Sequence, residues 1–300
     1  MIESYLQIHQ KKIEQLISNY LDDGRFKIGQ KSECLKLIEA IRYSSLSGGK
    51  RIRSMLLFMS AEACKKIKDN EMVGIAATAI EMMHCYSLIH DDLPAMDNDN
   101  LRRGKPSCHI AFGEANAILA GDALHSFSYE LLSTAGNCSL EIRLGLIQQL
   151  SKAAGINGMV GGQAIDLSVI GKSIEHHELQ HMHQLKTGAL ISSSVLMGGI
   201  CAEASELQLK ALKNYGESIG LAFQIKDDIL DLEASDETLG KNQGSDVALN
   251  KPTYPSVLGL ENSKNECVSL CNKAIEALDC FDESANLLRE TATYIISRSF

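Results

Sequence analysis

Apolar residues recur at three- and four-residue spacing through 52–68, 72–90, 115–133, 142–156 and 207–232, the period that lines one face of an α-helix. Ala, Leu, Glu, Lys and Met are frequent in these segments, and all five favour helix. The stretch MVGIAATAIEMMHCYSLI, 72–89, is apolar nearly all round, which predicts a central helix enclosed by others and able to line an internal space. Sustained period-two alternation is absent, so the expected class is all-α. The four prolines, Pro94, Pro106, Pro252 and Pro255, leave long stretches without a helix breaker. Loops are expected at 22–31, 44–50, 94–107 and 235–255, the last rich in Gly, Asn, Asp and Lys. With no repeat and no low-complexity linker, residues 1–300 read as a single domain.

Composition narrows the function classes. Twenty-nine Lys and Arg against 38 Asp and Glu give a formal net charge of −9, so no general attraction to nucleic acid or anionic lipid is expected. Any anion site must therefore be local. The nine cysteines are scattered and form no C-x-x-C pair, a pattern that fits reduced thiols and a cytoplasmic protein. The start, MIESYLQIHQKKIEQL, is amphipathic and of mixed charge, unlike a signal peptide. The apolar stretch 187–202 carries several Ser and Gly, and no membrane span is expected.

Two acidic clusters sit on apolar helical supports. Asp91, Asp92 and Asp97 lie in DDLPAMD at the end of the central helix; Asp227, Asp228 and Asp231 lie in DDILD. Asp227 and Asp231 share a helix face. In the first cluster Pro94 disfavours a helical Leu93, so the following residues can bulge and return Asp97 towards Asp91. Two carboxylates about 5 Å apart at an effective dielectric near 20 repel by roughly 3 kcal/mol. Clustered carboxylates thus call for counter-ions, and hard oxygen donors suit Mg²⁺ completed by phosphate and water.

Basic groups accompany them. GGKRIR, 48–53, places three cations at a turn leading into a helix, a layout suited to phosphate. Arg102 and Arg103 follow the first cluster, and His84 lies two turns before Asp91 on the same face. Singly, each basic residue equally fits a solvated surface, and His84 a satisfied core histidine. Lys186, Thr187, Gln224 and Lys241 are polar groups beside apolar segments.

Taken together, GGKRIR (48–53), HCYSLIHDDLPAMDNDNLRRGKPSCH (84–109), FGEANAILAGDAL (112–124), GMVGGQAIDL (158–167), LKTGAL (185–190) and FQIKDDILD (223–231) resemble the trans-isoprenyl diphosphate synthases. Within that family the similarity is greatest to the bacterial enzymes that make farnesyl diphosphate. The resemblance implies an isoprenoid synthase bundle of about ten helices round a central cavity, and a homodimer. It implies that isopentenyl diphosphate is condensed with dimethylallyl and geranyl diphosphates. Three Mg²⁺ ions are expected, with Mn²⁺ as a substitute, and their principal ligands would be Asp91, Asp97 and Asp227. Asp92, Asp228 and Asp231 would assist through water or hydrogen bonds. Arg102, Lys186 and Lys241 would neutralise the leaving diphosphate, Thr187 and Gln224 would orient it, and Lys50, Arg53, His84 and Arg103 would hold isopentenyl diphosphate. Lys251 matches a further basic position.

Tyr86, five residues before Asp91, lies about 7.5 Å deeper along the helix axis. Spacing alone fits an ordinary core tyrosine as well as a floor that stops the growing chain. The resemblance implies the floor, with the ring leaning in beside Ser87. A geranylgeranyl diphosphate synthase differs only in product length. A zinc protease is the alternative raised by HELQH, in which His177, Glu178 and His181 match H-E-x-x-H; with four His between 176 and 183, such a match arises easily by chance.

Overall fold

The computed structural model describes residues 2–22, 32–64, 71–233 and 251–298. They form helices α1 (Ile2–Tyr20), α2 (Ser32–Ser45), α3 (Ile52–Cys64) and α4 (Glu71–Asp91), then a two-stranded hairpin, β1 (Leu101–Arg102) and β2 (Lys105–Pro106). After it come α5 (Cys108–Phe112), α6 (Glu114–Thr134), α7 (Leu140–Ala154), α8 (Met159–Ser168) and α9 (His176–His183). A single π-helical segment, Gln184–Gly188, joins α9 to α10 (Ala189–Cys201). The long α11 (Glu206–Glu233) is followed, among the described residues, by α12 (Tyr254–Leu258), α13 (Leu260–Ala277) and α14 (Asn286–Ser297). The class is all-α, the hairpin being the only strand pair among the described residues.

Contacts divide the chain into two compact units, one mainly Glu3–Met55 and Asn70–Cys138, the other mainly Leu56–Asp69 and Ser139–Phe300. In the first, α4 packs along α6 and against α2. Its residues Met72 to Met83 are all buried, as an all-round apolar sequence requires. Among the described residues α4 alone is long and apolar enough to cross a membrane, and 78% of that apolar window is buried inside the protein. In the second unit α11 packs on α13 and α10. Its core gathers Leu179, Met182, Leu221, Ile225, Ile229 and Tyr254.

Candidate active site

In the first unit the helix carrying the acidic motif stops where Pro94 requires. Leu93 donates its N–H to His90 O at 3.2 Å, Asn98 adopts a left-handed φ of 53°, and Asp97 N–H reaches back to Asp91 O at 2.9 Å. Asp91 and Asp97 are thereby held at the two ends of one closed turn, both half-buried. Asp92 is different. It is buried and accepts Arg102 Nε at 3.0 and 3.2 Å, while Arg102 Nη2 also reaches Asp92 and, at 3.3 Å, Asp99. Burial raises the Asp92 pKa even against that guanidinium. Arg102, expected as a diphosphate partner, is paired with Asp92 in this structure, a contact that ties the hairpin to the end of α4.

That hairpin turns through Arg103 and Gly104, at φ 54° and 73°, the two consecutive left-handed residues of a tight antiparallel connection. The turn aims Arg103 at the glycine loop, where Nη1 donates to Gly48 O and, at 3.3 Å, to Ser47 Oγ. Gly49 has φ +111°, and a Cβ there would lie 2.5 Å from the Arg103 guanidinium carbon, so only glycine fits. Gln10 secures the same loop by donating to Gly49 O at 3.0 Å. His84 completes the basic group. Burial, then Arg53, Arg103, Arg51 and Arg102, hold its pKa well below the ordinary histidine value, so the imidazole is neutral among cations. Of the three cations in GGKRIR, Arg51 is turned inward: it is 5% exposed and paired with buried Glu81. Of the three cations at this turn, that leaves Lys50 and Arg53, the two already expected to hold isopentenyl diphosphate.

Tyr86 is half-buried, edge-on to His90 at 4.9 Å and to His125 at 5.1 Å, and His125 meets Tyr129 at 5.3 Å. Gly121 makes room on α6, since a Cβ there would meet the His90 ring. Beside it Ser87 Oγ donates to His84 O at 2.8 Å.

In the second unit the π-helical segment presents Lys186 and Thr187, the kind of irregular turn that often carries functional groups. Gly162 lets α8 approach the Lys186 backbone, where a Cβ would lie 2.2 Å from Lys186 N. Lys186 Nζ reaches Asp166 Oδ2 at 2.6 Å, and Lys251 Nζ reaches the same oxygen at 3.3 Å. Burial works to raise the Asp166 pKa, but the two ammonium groups outweigh it and the pKa is lowered. Thr187 Oγ1 donates to Gln224 Oε1 at 2.6 Å, and Gln224 Nε2 donates to Asp228 Oδ1 at 2.9 Å. Asp228 Oδ2 accepts His183 Nε2 at 3.0 Å and Tyr254 N–H at 2.9 Å. Asp228 is therefore buried and well supplied with donors, Asp231 is buried, and Asp227 remains 41% exposed with Arg298 Nη2 2.7 Å from its Oδ1. Asp166, His183, Lys186, Gln224, Asp228 and Lys251 line one pocket. Lys241 lies outside the described residues.

The sequence reading missed Asp166, His183 and Arg298. Asp166 sits in the quoted block GMVGGQAIDL, where a lone carboxylate in an apolar helix was a usable signal. Arg298, close to the end of the chain, gave none. In the HELQH match, Glu178 is engaged in a capping box, accepting Glu175 N–H at 2.9 Å, while His177 and His181 are exposed.

The donor set fits Mg²⁺. Asp91, Asp97 and Asp227 offer partly exposed carboxylate oxygens, whereas Asp92 and Asp228 are buried under hydrogen bonds. Among the described residues no three His, Cys, Asp or Glu side chains form a metal cage by themselves. Mg²⁺ takes one or two carboxylates and completes its shell with water and substrate phosphate, a role open to partly exposed carboxylates.

Comparison with known proteins agrees. The polyprenyl synthetase family model matches residues 35–289. The chain is 44% identical over 292 residues to farnesyl diphosphate synthase of Haemophilus influenzae, covering 96% of this chain and 97% of that one. It is also 44% identical over 264 residues to the chloroplastic geranylgeranyl pyrophosphate synthase of Capsicum annuum, covering 87% of this chain and 71% of that protein. A geranyltransferase from Helicobacter pylori, solved with magnesium and isoprenyl diphosphate, superposes with a TM-score of 0.80 at 34% identity, covering 97% and 96% of the two chains.

Proposed function

Because the chain belongs to the polyprenyl synthetase family, we propose that it is a prenyltransferase that condenses isopentenyl diphosphate with dimethylallyl and then geranyl diphosphate to give farnesyl diphosphate. The observation that carries this reading is the chemistry of the basic cluster in the first unit. A neutral His84 among Arg53, Arg103 and Arg51, beside a loop whose Gly49 admits the Arg103 guanidinium, suits a diphosphate, and the same unit carries Asp91 and Asp97.

Lys50, Arg53, His84 and Arg103 hold the diphosphate of isopentenyl diphosphate through charge-assisted hydrogen bonds. Asp91 and Asp97 in the first unit, and Asp227 in the second, would each offer carboxylate oxygen to Mg²⁺, three ions being expected with Mn²⁺ as a substitute. When bound, Mg²⁺ neutralises the allylic diphosphate and so eases rupture of its carbon–oxygen bond. Lys186 shares that charge, together with Lys251 and Lys241, and Asp166 keeps the first two in place as their resident counter-ion. Thr187 and Gln224 orient this end through their hydrogen bond to each other and on to Asp228. The isopentenyl double bond then attacks the allylic cation, a carbon–carbon bond forms, and the proton lost passes to the departed diphosphate. Water must be excluded, because it would capture the cation. Tyr86, braced by His90 and His125, limits chain growth.

The family match runs across both compact units, which supports one polyprenyl synthase domain. Exposed Ile110, Ile118 and Leu119 on α5 and α6 support a homodimer, and reduced cysteines support a cytoplasmic setting. The reading is tested by measuring inorganic diphosphate released from geranyl and isopentenyl diphosphates. Release that needs both substrates and stops on adding EDTA is expected; release from geranyl diphosphate alone, unaffected by EDTA, contradicts it.

A further inference from the structure

We propose that Glu81, buried in the middle of α4, is the positioning residue that sets the geometry of the isopentenyl diphosphate grip; the inference rests on the reading above, in which Lys50 and Arg53 hold that diphosphate. Glu81 is 2% exposed, on a helix that is otherwise almost wholly apolar. Its two oxygens do different things. Oε1 accepts Ser54 N–H at 3.1 Å, taking up one of the first N–H groups of α3, which have no partner within the helix. Oε2 accepts Arg51 Nη1 at 3.2 Å, and Nη2 of the same guanidinium donates to Ser45 O at the end of α2 at 2.7 Å. One carboxylate and one guanidinium therefore tie together the end of α2, the start of α3 and the centre of α4.

What they hold in place is an unfavourable backbone. Arg51 has φ 52°, a left-handed conformation that a side-chain-bearing residue keeps only when its surroundings impose it. The two glycines before it are left-handed as well, at 84° and 111°. A reversal of this kind between Lys50 and Arg53 decides where each of those side chains is presented. Arg53 is the strongest of the charges acting on His84, so the placement reaches the basic cluster itself. Stability alone gives little reason for such a pair, because a well-packed apolar pair of similar volume is commonly as stable as a buried ion pair. Maintaining a strained loop next to a binding site is a reason, and Glu81 does so without touching substrate.

The test uses two variants of the full chain, Glu81→Gln and Arg51→Lys, with the two substrates varied separately. Glu81→Gln keeps an acceptor for Ser54 N–H but removes the charge opposite Arg51. Arg51→Lys keeps that charge but has too short a reach for both partners. The expected result is a KM for isopentenyl diphosphate raised about tenfold, with KM for geranyl diphosphate within about twofold of wild type. Equal changes in both Michaelis constants, no change in either, or loss of the fold in both single variants makes the pair purely structural and overturns the proposal. A wild-type chain with no condensation activity overturns the proposed function first, and this inference with it.

Discussion

Asp97 donates its backbone N–H to the carbonyl oxygen of Asp91 at 2.9 Å. The closed turn brings the third carboxylate of the motif back to the helix end that carries the first, although four residues separate it from the second. Because the tie is made by backbone, it survives replacement of either side chain. Asp91→Ala and Asp97→Ala should therefore leave the circular dichroism spectrum unchanged while lowering kcat by about a thousandfold, the loss expected when a metal ligand worth several kcal/mol of charge stabilisation is removed. Near-normal turnover in either variant, or in wild type with EDTA, would remove the metal from the account.

The diphosphate grip makes a second, separable prediction. Lys50→Ala and Arg53→Ala each remove a charge-assisted contact worth about 1.5 to 3 kcal/mol, so KM for isopentenyl diphosphate should rise roughly tenfold to a hundredfold. KM for the allylic substrate should stay close to wild type. Steady-state kinetics with one substrate varied at a time distinguishes the two, and an unchanged KM for isopentenyl diphosphate in both variants contradicts the assignment.

Asp166 links stability to pH. Its carboxyl is held below the ordinary aspartate value by Lys186 and Lys251 despite burial. The unfolded chain therefore takes up this proton before the folded one does, so the stabilisation is complete above the ordinary pKa of about 3.9 and is lost as pH falls through the lower folded value. Urea midpoints measured from pH 6 to pH 3 should show that acid-side loss in wild type. Asp166→Asn should lose about 2 kcal/mol at neutral pH, because two partly buried ammonium groups lose the carboxylate they share, and should show a shallower acid-side decline. An Asp166→Asn protein as stable as wild type at neutral pH rules out this role.

The proposed floor to chain growth is Tyr86. Its ring is braced edge-on by His90 and His125, so Tyr86→Ala removes the middle of an aromatic chain that continues to Tyr129. The variant should make geranylgeranyl or longer diphosphates. If it still stops at the fifteen-carbon product with good activity, the floor lies elsewhere.

Much of this was legible in the residues. The all-round apolar 72–89 stretch announced an enclosed helix, and Pro94 announced the turn that returns Asp97, because both effects are local. What the sequence could not reveal depends on partners far along the chain. Nothing in GGKRIR says which of three adjacent cations will meet a buried carboxylate thirty residues later, and Arg51 does. Lys186 and Lys251 looked like two separate basic positions until Asp166 joined them. Asp228 was expected to assist through hydrogen bonds, but the pattern could not name the partners, which are His183, Gln224 and the Tyr254 backbone. The π-helical segment that presents Lys186 also left no mark in the periodicity, because α10, which follows it, is apolar nearly all round and has no single stripe for the extra residue to displace.

The most direct test of the central claim is product analysis. Purified protein is incubated with isopentenyl and dimethylallyl diphosphates and Mg²⁺, the products are dephosphorylated, and the alcohols are separated by chain length. The account predicts farnesol as the main product, with geraniol as a minor intermediate and nothing when Mg²⁺ is withheld. No prenyl product, or a main product of twenty carbons or more from the wild-type chain, contradicts it.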